Sequence, residues 1–463
     1  MTSIDDQLKA LRETLTTQVP YTSGTHAVKE EDLILFYEVP GEDHAHRVDL
    51  GRATEADLAA LTVACQKATF GVGGKDVLDE SYRKAAKMDA NRFSLRFDVT
   101  ALLNTITPEL LHGQHVDEDN SKVLVLRAEM YKLNVYGPGS FFKAHKDTPR
   151  GEDMIGSLVL VFPTAHEGGA LSLEHDGKKW VCDSAAEIAA APQTPALAYV
   201  AFYSDVTHAV ETVRTGYRVT LTYNLYLSDR HATTAGIQRR VLEPEQAFER
   251  TLRALLADPT FLPKGGLLAY SLAHQYPLPA VPDSAGEYSK EKRCYEPLPS
   301  RLPRIVPMLK GSDARILATS ERVGLTTHLK VLYGTDRRYE QGYDVLTDDV
   351  LNIEHVYDYE GFGREQENEI IKMGARLNRD KERVEQVHKK IRESDDYDPE
   401  EDWEERDLTA QGFIDVHWVT RLTELNQVRS SYVAYGNEPS LGHVYGNAAL
   451  FVDVPAAGQG VRA

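Results

Sequence analysis

Between residues 122 and 227, short runs of apolar, β-branched and aromatic residues alternate with turns rich in glycine and proline. Runs of this kind between turn signals are typical of β-strands. The last two runs, with a turn at Arg214-Thr-Gly216, predict a hairpin from Asp205 to Leu227. Eight short strands in about a hundred residues predict a double-sheet jelly roll. The eight runs fall at about 125–136, 140–147, 155–162, 169–174, 178–182, 196–202, 206–213 and 217–227.

The segments on either side of these strands carry a mixed pattern. Leu8, Leu11 and Leu15 follow Ser3 at helical spacing, and residues 55–68 predict a second helix. After residue 230, helical and strand-like patterns alternate. We therefore expect an α+β protein with a jelly-roll core (a double-stranded β-helix), flanking helices and a C-terminal α/β extension. The expected regions are a helical lead-in at 1–122 that packs on the barrel, a jelly-roll domain at 123–230, and a C-terminal α/β domain without an assigned role at 231–463.

Two histidines and one carboxylate in the strand region have the spacing of a metal site. His145 and Asp147 are two positions apart, so they share one face of a strand that includes both. His208 lies on a later predicted strand. Two histidines and a carboxylate hold one face of a ferrous ion and leave its other positions open for oxygen and substrate. A histidine ligand donates its other ring N–H to an acceptor, for which Asp205 and Glu211 are the candidates beside His208.

A basic side chain and a hydroxyl follow His208 on the last predicted strand. Arg218 and Thr220 are two positions apart and therefore share a face of that strand. A fixed guanidinium can bind a carboxylate through two parallel hydrogen bonds, and a neighbouring hydroxyl adds a further donor. The pair is suited to holding a small dicarboxylate beside the metal.

Each of these features is weak by itself. A lone His-x-Asp is expected about once by chance in a chain this rich in histidine and acid, and it is then usually a solvated loop pair. The combination within one domain is what favours a shared site. It consists of the lead-in Tyr136-Gly-Pro-Gly, then His145-x-Asp147, then the strand start Gly168-Gly169, and finally His208, Arg218 and Thr220.

Composition narrows the classes of partner. The chain has 463 residues, 42% hydrophobic and 27% charged, which is long enough for two or three domains. Acidic residues outnumber basic ones 71 to 52, giving a net charge of −19, and this argues against a nucleic-acid or anionic-membrane partner. The scattered cysteines Cys65, Cys182 and Cys294 fit a reducing compartment. Because the N-terminus lacks a signal pattern and no apolar run approaches about 18 residues, we expect a cytoplasmic location.

Residues from about 123 to 227 resemble the iron(II)/2-oxoglutarate dioxygenases, and within them the prolyl 4-hydroxylase-like branch in a long fungal-type form. The shared pattern is a tyrosine, a glycine, an aromatic residue, His-x-Asp, a later histidine and a basic residue about ten positions further on. Many prolyl hydroxylases carry lysine where this chain carries Arg218, which weakens the analogy of substrate. The pattern is matched by Tyr136, Gly139, Phe142, His145, Asp147, His208 and Arg218.

The resemblance implies roles for these residues. His145, Asp147 and His208 would be the iron ligands, while Arg218, with Thr220 beside it, would bind the distal carboxylate of 2-oxoglutarate. Tyr136 would donate a further hydrogen bond to that co-substrate. The implied cofactor and co-substrates are Fe(II), 2-oxoglutarate and dioxygen, with ascorbate as an optional addition.

The implied reaction oxidises a C–H bond, chiefly by hydroxylation, and releases succinate and carbon dioxide. Asp147 favours this outcome, because related halogenases lack the carboxylate ligand. The expected substrate is an amino acid, a peptide or a small metabolite. Three alternatives stay open: a protein prolyl hydroxylase, a jelly-roll binding protein without catalytic turnover, and a cupin-like metal enzyme that uses no oxo-acid. The oligomeric state is not indicated.

Overall fold

The computed structural model describes residues 3–15, 19–72, 75–111, 122–148, 150–151, 153–191, 195–231, 243–276, 288–289, 294–295, 302–334, 344–351, 355–357, 374–377, 413–435 and 440–462. The chain divides into two compact units. The first unit is residues 19–240, and the second unit is residues 1–18 together with 241–463. These boundaries differ from the three expected regions, because residues 19–122 share a unit with the predicted jelly-roll strands.

Helix α1 (Ile4–Glu13) belongs to the second unit, and the remaining elements before residue 240 form the first unit. Its helices are α2 (Glu55–Ala64), α3 (Thr100–Leu110) and α4 (Ser184–Ala189). Its strands before residue 122 are β1 (Tyr21–Ala27), β2 (Ile34–Glu38), β3 (Ala45–Asp49), β4 (Gln66–Lys67), β5 (Phe70–Val72), β6 (Lys75–Val77), β7 (Arg83–Lys84), β8 (Ala86–Asp89) and β9 (Phe93–Leu95). The later strands are β10 (Lys122–Tyr136), β11 (Phe141–His145), β12 (Met154–Val161), β13 (His166–Gly168), β14 (Leu171–His175), β15 (Lys178–Cys182), β16 (Ala196–Tyr203), β17 (Thr207–Val210), β18 (Val213–Gly216) and β19 (Arg218–His231).

The core of the first unit consists of two antiparallel sheets. One has the strand order β1-β16-β12-β19-β10-β8-β4, and the other has the order β15-β14-β17-β11-β7. Each of the eight predicted strand regions has an observed strand within it or overlapping it. The consecutive strands β10, β11 and β12 alternate between the two sheets, as do β16, β17 and β19. The result is a jelly-roll-like β core in a protein of mixed helix and sheet.

The lead-in segment from residue 19 onward contributes strands to both sheets of this core. Strand β1 pairs with β16 along its whole length, and β8 pairs with Lys132–Val135 in the C-terminal half of β10. The short strand β7 pairs with β11 in the other sheet. The lead-in therefore supplies edge strands to both sheets, which explains why it cannot be separated from residues 123–230. The sequence pattern missed this because these pairings join positions far apart along the chain.

The predicted hairpin from Asp205 to Leu227 is wrong. Strand β17 pairs with β11 and β14, whereas β19 pairs with β10 and β12. The segment between them forms its own strand, β18, which pairs with β13. His208 and Arg218 consequently lie on different sheets. Their side chains can still converge because the inner faces of the two sheets enclose a common core.

The predicted helices form for local reasons that the sequence contains. Ser3 and Thr54 each accept a hydrogen bond from the backbone N–H three residues later, and Asp6 and Asp57 reciprocate, which gives both helices a capping box. Helix α2 ends at Ala64, earlier than the predicted residue 68, because the next residues pair with β8. Its buried face joins α3 and both sheets in one hydrophobic core, which includes Leu58, Leu61, Leu102, Ile106, Leu158, Leu173 and Leu221.

In its described residues, the second unit combines three α-helices with a mostly antiparallel sheet. Its elements after α1 include the helices α5 (Glu243–Ala257) and α6 (Gly311–Arg322). The strands are β20 (Gly266–Ser271), β21 (Tyr288–Ser289), β22 (Cys294–Tyr295), β23 (Thr327–Gly334), β24 (Asp344–Thr347), β25 (His355–Tyr357), β26 (Gly374–Leu377), β27 (Phe413–Ile414), β28 (Val416–Trp418), β29 (Gln427–Tyr435) and β30 (Ser440–Val454). Strand β30 lies between β29 and β23 and also pairs with β20.

The helices of the second unit and one face of its sheet share a core. Leu8 and Leu11 of α1 join Phe248 and Leu252 of α5 in this core, together with Leu450 of β30. The apolar spacing that predicted α1 therefore marks the face that is buried. None of the described helices in either unit is long and apolar enough to cross a membrane.

Candidate metal centre

His145 and His208 lie on neighbouring strands of the smaller sheet. His145 ends β11, and His208 lies near the start of β17, directly opposite it in the antiparallel register. Their ring centroids are 4.2 Å apart. Side chains at directly opposed positions of an antiparallel pair project from the same face of the sheet. Strand pairing therefore brings together two histidines that are distant along the chain.

Asp147 completes the group from the segment just after β11. Its Oδ1 lies 3.8 Å from Nε2 of His208, and the ligand atoms of the three side chains all lie within 4.8 Å of one another. Nitrogen and oxygen ligands about 2.1 Å from one ion can be up to about 4 Å apart. The three side chains therefore need only small adjustments to bind one ion. Ser157 donates a 2.5 Å hydrogen bond to Oδ2 of Asp147, which orients the carboxylate.

The histidine tautomers are determined by backbone carbonyl groups. Nδ1 of His145 lies 2.8 Å from the carbonyl oxygen of Lys143, and Nδ1 of His208 lies 3.1 Å from that of Val206. Because a carbonyl oxygen can only accept, each Nδ1 carries the proton and each Nε2 has a free lone pair. This arrangement is typical of a histidine that binds a metal through Nε2.

The expectation that Asp205 or Glu211 accepts this hydrogen bond is wrong. Asp205 instead lies 3.1 Å from Nε2 of His175. Glu211 is exposed, and its backbone N–H donates to the carbonyl oxygen of Ala170. Local geometry explains the difference. The backbone carbonyl two residues before each histidine lies within hydrogen-bond distance of its Nδ1, so the imidazole needs no carboxylate as an acceptor.

Aromatic rings enclose both imidazoles. The ring of Phe142 stacks on His145 with centroids 3.6 Å apart, and the ring of Phe202 lies 4.6 Å from His208. Burial, and then the proximity of His208, lowers the pKa of His145 to about 3. A buried imidazole resists protonation because the charged form loses its hydration. The neutral form that results is the one that binds a metal.

Arg218, at the start of β19, is buried with unused hydrogen-bond donors. Only 1% of its surface is exposed, and its Nε and Nη2 have no hydrogen-bond partner in the described part of the chain. Burial lowers its pKa from the usual value. Gly169 allows this placement, because a Cβ there would lie 2.9 Å from Cδ of Arg218. A buried cation without a partner is costly, so the site fits a ligand that carries a carboxylate.

All six residues that the sequence singled out line one cavity of about 90 Å³. Tyr136 lies opposite Arg218 in the β10–β19 register, and its ring centroid is 5.7 Å from the guanidinium carbon. Thr220 is buried two residues further along β19. The structure brings the proposed metal ligands and the proposed dicarboxylate ligands to the same place. These residues are His145, Asp147, His208, Tyr136, Arg218 and Thr220.

The cavity also contains residues that the sequence analysis did not identify. Ser157 is a buried hydroxyl in the otherwise apolar strand β12, and that contrast was the signal for its role. Asn134 is buried on β10 beside Thr220 and Thr222. Arg83 enters from β7, and nothing in its local sequence marked it, since its position depends on the pairing of β7 with β11.

The volume of the cavities alone would have indicated a different site. A cavity of about 620 Å³ lies in the second unit and is lined by Lys264, Asp415 and Asp453 among other residues. No histidine or cysteine belongs to the described lining of that cavity. An exposed group of Glu42, His44 and His46 on the first unit also has metal-binding side chains. Neither place combines a His-Asp-His group with a buried guanidinium.

Several solved structures are similar to part of the chain. A prolyl-4-hydroxylase from Pseudomonas putida is 18% identical, with 48% of this chain and 99% of that chain covered and a TM-score of 0.26. A prolyl hydroxylase from Trichoplax adhaerens, in complex with a hypoxia inducible factor peptide fragment, is 14% identical, with 48% and 90% covered and a TM-score of 0.26. A 2OG-Fe(II) oxygenase family oxidoreductase from Burkholderia pseudomallei is 18% identical, with 49% and 91% covered and a TM-score of 0.22.

No curated protein matches the chain. A family model does match the segment that supplies all of the cavity lining except Arg83, and this segment holds the three candidate metal ligands, Arg218, Thr220 and Tyr136. Residues 131–226 match the model of the 2OG-Fe(II) oxygenase superfamily.

Proposed function

We propose that this protein is a non-haem Fe(II)/2-oxoglutarate-dependent dioxygenase that hydroxylates a C–H bond of an amino acid, a peptide or a small metabolite. One observation carries the proposal: the His-Asp-His group and a buried guanidinium with unused donors line the same cavity. The match of residues 131–226 to the oxygenase model supports it. The metal group alone would also fit a cupin-like enzyme, but such an enzyme has no need for Arg218.

In this proposal His145, Asp147 and His208 would hold the iron and leave room on it for 2-oxoglutarate and dioxygen. With these bound, the centre supplies the oxidation of a C–H bond, while 2-oxoglutarate is converted to succinate and carbon dioxide. Arg218 would receive the distal carboxylate of 2-oxoglutarate, and Tyr136 and Thr220 would add donors beside it. Ser157 would keep Asp147 in the orientation that binds metal, and the carbonyl groups of Lys143 and Val206 keep the proton on Nδ1 of each imidazole, so that each Nε2 faces the metal position.

The protein must also exclude water from the reacting centre. Phe142 and Phe202 cover the two imidazoles, and Val159, Leu171 and Val210 complete an apolar lining. Exclusion of water strengthens the hydrogen bonds of the fixed polar groups and protects a reactive site from side reactions. The carboxylate ligand Asp147 favours hydroxylation over halogenation.

The proposal extends to the setting of the reaction. We infer a small-molecule or peptide substrate, ascorbate as an optional reductant, a cytoplasmic location, and no nucleic-acid or membrane partner. The net charge of the chain, −19, supports the inference that it binds neither nucleic acid nor an anionic membrane.

Anaerobic titration of the purified protein with iron(II) and then 2-oxoglutarate tests the proposal directly. A chelated 2-oxoglutarate should produce a weak visible charge-transfer band, and Arg218→Ala should require more 2-oxoglutarate to reach it. If saturating iron(II) and 2-oxoglutarate gave no band, a metal enzyme without an oxo-acid would be favoured. If the band formed but no candidate substrate stimulated succinate release, a binding protein would be favoured instead.

A further inference from the structure

We propose that Arg83 forms a second anion-binding subsite in the cavity, and that it binds a carboxylate of the substrate. The inference deepens the proposed function and rests on it for the identity of the co-substrate. It names a substrate class: molecules with a carboxylate only a few bonds from the carbon that is oxidised.

Arg83 reaches the cavity from the edge strand next to the metal ligands. In the register of β7 with β11, Arg83 lies opposite Phe142. Its guanidinium carbon lies 4.4 Å from the ring centroid of Phe142. The same ring stacks on His145, with the two ring centroids 3.6 Å apart. Phe142 therefore contacts both the guanidinium group of Arg83 and the imidazole of a candidate metal ligand. A ligand that bridges this gap needs only a few bonds.

The guanidinium has donors to spare. Its Nη1 donates to the carbonyl oxygen of Thr69 at 2.7 Å, and its Nη2 donates to Oδ1 of Asn134 at 2.8 Å. Its Nε is buried and has no partner, and the side chain makes no ion pair with a described carboxylate. Arg83 as a whole is only 9% exposed. Five N–H donors in a planar fork suit a carboxylate, and Arg83 uses neutral acceptors for only part of that fork.

The charges of the cavity lead to the same conclusion. Its lining contains three cations, Arg83, Lys132 and Arg218, but a single carboxylate, Asp147. In the loaded site, iron(II) and Arg218 would balance Asp147 and the two carboxylates of 2-oxoglutarate. No carboxylate of the cavity lining would then remain for Arg83, whereas Lys132 lies opposite Asp89 in the β8–β10 register. This excess is notable in a chain whose net charge is −19.

A buried cation that lacks a counter-charge lowers stability, and natural proteins keep such groups mainly at functional sites. A substrate carboxylate would supply both the missing charge and acceptors for the free edge of Arg83. The competing explanation is structural: Arg83 would only hold Phe142 and Asn134 in place. That explanation predicts no preference of the cavity for anions.

Saturation-transfer difference NMR can separate these explanations with a defined set of probes. The protein is loaded with zinc(II), which cannot perform the oxidation, and with 2-oxoglutarate. The probes are N-acetyl amino acids and the matching N-acetyl amino acid amides, which differ only in the carboxylate. We expect the acids to bind about tenfold better than the amides. We expect Arg83→Gln to abolish this preference and Arg127→Gln, an exposed arginine on β10, to retain it.

Equal signals from acids and amides, or no signal from any acid at millimolar concentration, would overturn the inference. So would a preference for acids that survives Arg83→Gln. The comparison of acids with amides in the wild-type protein does not depend on whether a variant folds.

A parallel titration distinguishes this failure from failure of the proposed function. Arg83→Gln should bind iron(II) and 2-oxoglutarate within about threefold of wild type, because Arg218 binds that co-substrate. If Arg83→Gln lost 2-oxoglutarate binding as fully as Arg218→Gln, Arg83 would be a co-substrate ligand and the inference would be wrong. If the wild-type protein itself formed no 2-oxoglutarate complex, the proposed function would fail, while the acid preference could still be measured with zinc(II) alone.

Discussion

Arg218 in the first unit and Asp313 in the second are both charged side chains with 1% of their surface exposed, yet their surroundings differ sharply. Asp313 accepts hydrogen bonds from the backbone N–H groups of Ala273 and His274 and from the hydroxyl of Tyr276. Arg218 keeps two nitrogens without a partner. A buried charge whose hydrogen bonds are complete stabilises a fold, whereas one with vacant donors is positioned for a ligand.

The same contrast applies to cavities. The 620 Å³ cavity of the second unit is much larger than the 90 Å³ cavity of the first, but only the smaller one is lined by a His-Asp-His group. Function is better indicated by incomplete polar groups that converge than by volume. The following experiments test this contrast, beginning with the largest expected effect.

Replacing His208 by alanine should remove the metal site. Loss of one of three protein ligands should weaken iron(II) binding by more than about 100-fold, since even the partners of ligands contribute 10- to 100-fold. Anaerobic calorimetry with iron(II) measures the effect. His328→Ala, a change at a partly exposed histidine of the second unit that belongs to none of the described metal-binding groups, is the matched control and should leave this binding intact. Tight iron binding by His208→Ala would mean that the His-Asp-His group is not the metal centre.

Replacing Arg218 by methionine should separate ligand binding from stability. We expect the affinity for 2-oxoglutarate to fall about 100-fold, because a charge-assisted, buried pair contributes about 3 kcal/mol. The thermal midpoint should be unchanged or higher, because a buried cation without a partner is removed. Absorbance titration and thermal unfolding measure the two effects, and Arg127→Met serves as the surface control. A large loss of stability with unchanged 2-oxoglutarate binding would reverse the interpretation of Arg218.

Replacing Asp313 by alanine should give the opposite pair of results. Three donors lose their acceptor, so the free energy of unfolding should fall by about 2 kcal/mol. Binding of 2-oxoglutarate to the folded protein should not change. Asp313→Asn, which keeps one acceptor oxygen and the shape, should lose less stability in urea unfolding. If Asp313→Ala unfolded at the same urea concentration as wild type, the hydrogen bonds of Asp313 would not stabilise the second unit, and the contrast with Arg218 would fail.

Replacing Ser157 by alanine should have the smallest effect of the four. Asp147 would lose the hydrogen bond that orients it, and we expect iron(II) affinity to fall about tenfold. Ser172→Ala, on the neighbouring sheet, is the control, because its hydroxyl makes only a 3.4 Å contact with a backbone carbonyl. Equal behaviour of the two variants would show that Ser157 does not orient Asp147.

Much of the first unit could be predicted because its signals are local. The eight strands follow from apolar runs and turns, and helix α2 starts at the predicted Glu55, capped by Thr54. The residues chosen as metal and dicarboxylate ligands were found by spacing and residue type, and they lie in one cavity. Their roles stay predictions until metal and 2-oxoglutarate binding are measured.

What the sequence did not reveal depends on contacts between distant segments. The hairpin from Asp205 to Leu227 was wrong because β17 and β19 pair with strands of different sheets. The acidic residues predicted to accept hydrogen bonds from the histidine ligands were wrong. Backbone carbonyl groups accept these hydrogen bonds instead, and a backbone carbonyl has no sequence signature. Arg83 was missed because a two-residue strand is too short to show periodicity.

The long pairing of β10 with β19 contains one extra residue, Tyr131, on the β10 side. The register joins Met130 to Tyr223 but Lys132 to Thr222, so a bulge lies between them. In a bulge two residues of one strand lie opposite one residue of the other, so the extra residue is absorbed locally and the pairs beyond it keep their faces. Deleting Tyr131 would therefore leave a regular ladder in which Lys132 follows Met130 and Tyr136 stays opposite Arg218. A chain that is one residue shorter at this point of β10 would keep tyrosine opposite arginine without any change in β19, but it would lose the local bend and extra twist that a bulge gives to a strand.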